Sequence, residues 1–230
     1  MRVAALYDVH GNLPALDAVL AEVDADVILV GGDAVAGPWP AETLARLRGL
    51  EGDVHFIRGN ADREIAEQTP GLAPAHLMEF VRSRLSAEEI DFLGSLPLTE
   101  SVAVDGLGDV LFCHATPRND EEIFTRISPE ERWRAALAGV EADVVVCGHT
   151  HVQFDRSVDD IRLVNAGSIG MPYEHEPGAY WAVVGSDIEL RRTTYQPGDL
   201  AASGWPDKLP ELGPEEATEI FERMSLAEQP

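Results

Sequence analysis

The chain has 230 residues, a formal net charge of −24 at pH 7, 45% hydrophobic residues and 25% charged residues. This size and composition are ordinary for a globular domain with a substantial core, and no apolar run approaches the roughly 20 residues of a membrane-spanning helix. The acidic surface argues against binding to a nucleic-acid backbone or an anionic membrane, because both favour basic proteins. The first apolar run stops at Asp8 without a signal-peptide cleavage pattern, so we expect a core strand and a cytoplasmic protein.

The first 60 residues alternate short apolar runs with helical patterns. Residues 3–7, 27–30 and 54–57 are predicted strands, and residues 13–23 and 40–50 are predicted amphipathic helices. Such alternation favours parallel strands joined by right-handed crossovers, with ligands gathered at the carboxyl ends of the strands.

Residues 63–96 are predicted to be mostly helical. Ser86 and Glu89 form the pattern of a capping box at the start of one helix, and Ser128 followed by Pro129 indicates a later helix start. The stretch 63–96 is interpreted either as a lid or rim over a site or as simple packing against the core.

The chain beyond residue 148 is predicted to be rich in strands. Residues 161–164, 179–184 and 188–195 fit strands, with a hairpin turn at 185–187. A tail helix is predicted within residues 213–226. Because no repeat or clear linker divides the sequence, we predict a single domain over residues 1–230.

The two cysteines, Cys113 and Cys147, each lie at the end of an apolar run. They provide neither a disulfide framework nor a structural zinc pattern. The simpler interpretation is two small buried hydrophobic residues, and the alternative is a redox pair.

Five short motifs place metal-binding side chains where predicted strands end. They are Asp8-Val9-His10-Gly11-Asn12, Gly31-Gly32-Asp33, Gly59-Asn60, Cys113-His114 and Gly148-His149-Thr150-His151. Carboxylate, amide and imidazole groups from successive strand ends are what a two-metal hydrolytic site requires. His55 within a strand and His76 on a helical face lie outside these motifs and are interpreted as structural.

The order of these motifs resembles that of the calcineurin-like metallophosphoesterases. Residues 113–118, 165–168 and 170–172 also resemble segments of the small bacterial single-domain members. The resemblance extends to about Tyr195 and leaves the C-terminal tail uncovered. It implies an α/β fold, a four-layer α-β-β-α sandwich in which helices flank two central mixed sheets.

The resemblance also implies a dinuclear metal centre with seven ligands. These would be Asp8, His10 and His151 at one ion, Asn60, His114 and His149 at the other, and Asp33 bridging both. Mixed nitrogen and oxygen donors without thiolate suit manganese, iron, zinc or cobalt, and we favour manganese. A water that bridges two such ions about 3.5–4 Å apart can lose a proton near neutral pH and attack phosphorus in line.

One position departs from the family pattern. Many members carry a histidine directly after Gly-Asn, and that histidine is taken to protonate the leaving group, whereas this chain has Ala61. Asp62 keeps the acidic position that usually orients the missing histidine, and we count it with Asn60 and His114 among the predicted catalytic residues. Without that acid, the enzyme should favour leaving groups that depart as stable anions, or use another acid such as His175 or a metal-bound water.

Three residues are predicted to bind substrate. Arg118 is a candidate phosphate clamp, because its planar guanidinium suits phosphate oxygens, and the alternative is an ordinary surface arginine. Asn12 is either a helix cap or a support of the site. His175 lies in a loop just after the segment 165–172, and Arg63 is a weaker candidate than Arg118.

We therefore expect a two-metal phosphoester hydrolase, with phosphodiester cleavage favoured, acting on a small phosphoester or nucleotide. A nucleotide or dinucleoside-polyphosphate phosphatase is the alternative enzyme. A non-catalytic interaction scaffold on the same fold is the alternative from another class, although retention of all the family's ligand positions argues against it. The substrate, the native metal and the oligomeric state do not follow from the sequence.

Overall fold

The computed structural model describes residues 1–206 and 208–227. Its strands are β1 (Val3–Leu6), β2 (Val27–Val30), β3 (Asp53–Phe56), β4 (Thr99–Val104), β5 (Gly108–Cys113), β6 (Val144–Cys147), β7 (Phe154–Val158), β8 (Ile161–Asn165), β9 (Ala179–Val184) and β10 (Ile188–Thr193). Its helices are α1 (Leu13–Leu20), α2 (Pro40–Arg48), α3 (Asn60–Glu67), α4 (Ala75–Ser83), α5 (Ala87–Ser95), α6 (Glu130–Ala136), α7 (Leu200–Ser203) and α8 (Pro214–Ala227). No helix in the described ranges is long and apolar enough to cross a bilayer.

The strands form two mixed sheets of five. The first has the order β10-β9-β1-β2-β3, with β1, β2 and β3 parallel, as the sequence predicts. The second has the order β4-β5-β6-β8-β7, with β5, β6 and β8 parallel and an antiparallel strand at each edge. The carboxyl ends of the parallel strands therefore lie along one edge of each sheet.

Side-chain alternation along the strands places the core between the sheets. Val3 and Ala5 of β1 pack in one buried cluster with Phe112 and Val146 from the second sheet. The opposite face of β1 packs with α1 to α5, and Trp133 of α6 packs on the outer face of the second sheet. The result is the expected four-layer sandwich of helices, two sheets and helices.

The local structure differs from the sequence predictions at two edge strands and at one helix start. β4 and β7 are edge strands that the patterns did not predict. Helix α6 begins at Glu130, because the Ser128 hydroxyl accepts from the Thr125 N–H and donates to Glu222 and therefore does not cap the helix. The stretch 63–96 is mostly helical, as the sequence predicts, and consists mainly of α3 to α5.

Candidate metal centre

The ends of the parallel strands bring the seven predicted ligands into one buried region. The side chains of all seven are buried. Five of them adopt left-handed backbone angles, with φ between 47° and 66°: Asp8, His10, Asp33, His149 and His151. Residues other than glycine pay an energetic cost for this conformation, and such residues cluster at functional sites.

The first group of donors consists of Asp8, His10 and His151. The Nδ1 atom of His10 lies 3.1 Å from the Ala36 carbonyl, and that of His151 lies 2.8 Å from the Met171 carbonyl. A neutral ring with a carbonyl at Nδ1 carries its proton there, so both Nε2 lone pairs face inward. The two Nε2 atoms are 3.0 Å apart, and that of His151 lies 3.2 Å from Asp8 Oδ1.

The second group contains Asp8, Asp33 and His114. The Nε2 atom of His114 lies 3.6 Å from Asp33 Oδ2 and 3.2 Å from Asn60 Oδ1. Asp33 Oδ2 is also 3.8 Å from the Nε2 atom of His10, so its carboxylate lies between the two groups. This position fits the bridging role that the resemblance implied.

His149 completes the predicted ligand set through its ring geometry. Its ring lies edge-on to that of His114, with the centroids 5.1 Å apart. Its Nε2 atom donates to the Glu121 carbonyl at 3.2 Å, which leaves Nδ1 as the atom able to bind a metal.

The hydrogen bonding of the Asp8 carboxylate indicates whether a cation fits among these donors. Its Oδ2 atom accepts from the His149 backbone N–H at 2.9 Å, whereas Oδ1 is buried and has no hydrogen-bond partner within the described residues. An unpaired buried carboxylate oxygen surrounded by imidazole lone pairs is unfavourable unless a positive charge lies among them. The donor set therefore fits divalent cations, held by carboxylate, amide and imidazole groups without thiolate.

Two histidines and one aspartate of this set have pKa shifts that favour metal binding. Burial and the neighbouring His151 lower the pKa of His10 to about 3, and burial and His114 lower the pKa of His149 to about 3. Burial alone would raise the pKa of Asp8, but the His151 and His114 rings hold it below its usual value. Neutral imidazoles beside a carboxylate are the forms that bind a metal. By contrast, burial raises the pKa of Asp33, and the Asp33 and Asp8 carboxylates outweigh burial and raise the pKa of His114.

Asp62 stabilises the loops around this centre through hydrogen bonds to their backbone. Its Oδ2 atom accepts from the backbone N–H groups of Asp33 at 2.8 Å and Gly59 at 3.1 Å, and its Oδ1 atom accepts from Ala34 at 3.2 Å. These bonds hold together the segments that follow β2 and β3. Both oxygens are thus used on backbone amides, and Asp62 acts by positioning the loops that carry Asp33 and Asn60.

The structure does not place Arg118 at the metal centre. Its guanidinium donates to Glu122 at 2.6 Å and to the Ala135 carbonyl at 2.7 Å, and its side chain is half exposed. The phosphate-clamp prediction is therefore not supported, because its donors are taken by partners on a neighbouring surface. The weaker candidate, Arg63, likewise pairs with Asp120 and Glu121.

The two other predicted substrate-binding residues also lie elsewhere. His175 is 72% exposed and pairs with Glu215 at 3.4 Å, so it does not face the ligands. Asn12 caps α1 through the Ala15 N–H, and its amide donates to the Gly170 carbonyl and the Tyr195 hydroxyl. Asn12 thus follows the helix-cap interpretation and anchors the loop at Gly170.

Glu64 is a residue of the site that sequence reasoning missed. Its Oε1 atom accepts from the Asn60 side-chain amide at 3.1 Å, which orients the amide oxygen towards His114. Burial raises the pKa of Glu64. The spacing of four residues on a predicted helix was the available signal, because residues i and i+4 lie on the same helical face.

A four-layer α/β sandwich that delivers aspartates, asparagine and histidines from its strand ends to one buried cluster defines the class of metallophosphoesterases. The chain belongs to the calcineurin-like phosphoesterase superfamily, because the model of that superfamily domain matches residues 1–187. The two predictions of family and fold class are thereby confirmed.

Comparison with individual proteins agrees with this assignment. The uncharacterized protein MJ0912 of Methanocaldococcus jannaschii is 26% identical over 219 residues, covering 84% of this chain and 87% of that protein. A metallophosphoesterase from Sphaerobacter thermophilus is 25% identical, with a TM-score of 0.69 over 85% of this chain and 90% of that one. The hypothetical protein PH1004 of Pyrococcus horikoshii OT3 has a TM-score of 0.79 at 23% identity, covering 96% and 97%, a likeness that concerns the fold.

Proposed function

We propose that this chain hydrolyses a small phosphoester with the help of two divalent metal ions, manganese being favoured, and that it prefers phosphodiesters. The observation that carries the proposal is the buried donor cluster around the unpaired Asp8 Oδ1 atom. When bound, two such ions would supply positive charge for phosphoryl oxygens and acidify water. That charge would also offset the repulsion between an anionic substrate and a chain of net charge −24.

The protein's own groups define the roles around those ions. Asp8 and Asp33 provide the negative charge, and backbone carbonyls fix the rings of His10, His114 and His151 so that Nε2 points inward. Asn60 presents its amide oxygen, which Glu64 orients.

The diester preference follows from Ala61. This side chain lines the cavity next to Asn60 and Asp33, where many family members carry the histidine that protonates a leaving group. Its backbone N–H donates to Asp33 Oδ1 at 2.8 Å, so the position is close to the ligands. His175 does not replace the missing acid because it is exposed and paired with Glu215. Leaving groups that depart as stable anions are therefore favoured.

The test compares bis(p-nitrophenyl) phosphate with an alkyl phosphate monoester in manganese-loaded protein. The wild type should hydrolyse the aryl diester faster. The variant Ala61→His should gain at least about tenfold on the alkyl ester, because general acid catalysis contributes about 10²–10⁴-fold. The variant Ala61→Asn is the matched control without a useful acid. Faster alkyl monoester turnover by the wild type would overturn the diester preference.

The alternative from another class is an interaction scaffold on the same fold. A scaffold has no need to keep the donor set, which is complete here. Elemental analysis of the protein and its melting temperature with and without manganese separate the two, because a ligand present at 100 times its Kd stabilises by about 2.7 kcal/mol. Absence of bound transition metal together with an unchanged melting temperature would favour the scaffold.

A further inference from the structure

A cavity of about 320 Å³ opens directly onto the ligand cluster. Its polar end is formed by ligand residues, including His10, Asp33 and His151. The rest of its wall is largely apolar and comes from α4, α8 and the segment before α8. Representative lining residues are Leu77, Met78, Val81, Leu212, Ile220 and Phe221.

Tyr173 joins the metal centre to this apolar wall. Its ring stacks on that of His151 with centroids 5.0 Å apart, and it lies 6.1 Å from the ring of Phe221 on α8. A ligand whose phosphoryl group reached the donors would therefore extend its remaining part along apolar side chains.

Fixed contacts hold the wall formed by α8 in place. Glu222 of α8 accepts from the hydroxyls of Thr125 and Ser128 and pairs with Arg132 at 3.4 Å. This helix lies outside residues 1–187, the part matched by the superfamily model. The apolar wall thus combines α4, which lies within the matched part, with α8 and the segment before it, which lie outside that part.

We propose that the cavity binds an apolar substituent of the phosphoester substrate, an alkyl or aryl group. This inference rests on the proposed function, since it names the class of substrate for the same site. An engineered apolar cavity of about 150 Å³ binds benzene, so this cavity of about 320 Å³ has room for a group of that size beside its polar, donor-lined end. Burial of such a group would provide the attraction that the protein's acidic surface does not give to an anion.

A nucleobase fits this wall less well than a hydrocarbon group. Its ring nitrogens and exocyclic groups would lose water on entering the cavity, and aliphatic side chains such as Leu77 and Ile220 cannot replace those hydrogen bonds. A buried alkyl or aryl group has no such requirement.

The experiment measures binding without turnover. Methyl-, butyl-, hexyl-, octyl- and phenylphosphonate, which carry a stable carbon–phosphorus bond, are titrated calorimetrically into manganese-loaded protein and into protein in chelator. Affinity should rise about three- to fourfold for each added methylene until the cavity is filled, since each buried CH₂ contributes about 0.8 kcal/mol. In chelator the overall affinity should fall while the increment per methylene persists. Comparison of phenyl- with hexylphosphonate distinguishes aryl from alkyl recognition.

Variants locate the binding of the apolar group. Ile220→Gln on α8 and Leu77→Gln on α4 should each flatten the chain-length dependence, while the exposed Glu219→Gln on α8 should leave it unchanged. Equal affinities for methyl- and octylphosphonate in the wild type would overturn the inference, as would tighter binding of a nucleoside 5′-phosphonate. Chain-length-dependent binding in a protein without hydrolytic activity would refute the proposed function alone, and hydrolysis without chain-length dependence would refute this inference alone.

Discussion

The replacement of Asp62 should affect stability and metal binding together. Its carboxylate, fully buried, accepts from the backbone N–H groups of Asp33, Ala34 and Gly59. The variant Asp62→Ala leaves three buried amides without an acceptor, and each unsatisfied group costs about 1–3 kcal/mol. We expect a total loss of about 3–9 kcal/mol in the free energy of unfolding, the sum over the three amides. For a domain of this size each kcal/mol lowers the melting temperature by about 2–4 °C, so the decrease should be at least roughly 6 °C.

The variant Asp62→Asn should be milder. Its amide oxygen can replace Oδ2 and keep the bonds from Asp33 and Gly59, but its NH₂ group then faces the Ala34 N–H. We expect a loss of about 1–3 kcal/mol, the cost of one unsatisfied pair. Because the segments carrying Asp33 and Asn60 lose support, manganese affinity should fall about 10–100-fold in both variants.

Chemical denaturation in urea and calorimetric titration with manganese measure these two effects. Asp91→Ala, at an exposed position on α5, is the matched control and should change neither quantity by a measurable amount. If Asp62→Ala unfolds within 1 kcal/mol of the wild type with an unchanged m value, the reasoning is refuted, because the three amides must then find other acceptors.

Three further predictions concern the ligands and the cysteines. Burial lowers the pKa of His10 and His149 from 6.5 to about 3, so in chelator the unfolded state takes up protons first as the pH falls below 6.5. Stability should therefore decrease from pH 6.5 towards pH 4 by up to about 1.4 kcal/mol per pH unit for each ring. Burial raises the pKa of Asp33 and Asp62, so these carboxyls take up protons first in the folded state and partly offset the loss. A flat melting-temperature profile over this range would contradict this prediction. Asp8→Asn should weaken manganese binding by more than about 100-fold in calorimetry, since it removes a direct ligand, and retained affinity would exclude Asp8 from the centre. Both cysteines are buried, and burial raises the pKa of Cys147 to about 12. A thiol reagent should therefore label the unfolded protein but not the native protein. Rapid labelling of the native protein would contradict this packing.

The buried donors of the candidate metal centre could be predicted because each of their motifs lies shortly after an apolar run. The runs before Asp8, Asp33 and His149 have the composition of buried parallel strands, and such strands deliver their ends to a common edge. The left-handed backbone at five of the predicted ligands could not be predicted, because Asp and His are enriched in this conformation but most of them adopt other backbone angles. The carbonyl groups that orient the imidazole rings could not be predicted either, since they belong to the main chain and every residue carries one.

The structure gives other partners to the residues predicted to bind substrate. Arg118 lies four residues after His114, yet the chain turns so that its guanidinium meets Glu122 and the Ala135 carbonyl. Proximity in sequence does not determine where a long side chain on a loop will find its partners. Glu64 is the opposite case. Its spacing of four residues from Asn60 on a helix would have predicted the contact, but only the structure revealed it.

The sequence by itself determined the donors of the candidate metal centre, the departure at Ala61 and the order of strands and helices in the first half of the chain. These properties depend on local periodicity and on the identity of residues at strand ends. The tertiary structure alone decided which charged side chains lie outside the centre and which backbone groups bind Asp62. It also showed that a cavity lined by α4 and α8 adjoins the ligands. Such features arise where segments distant in the chain pack against each other, and packing depends on the shape and burial of both partners together.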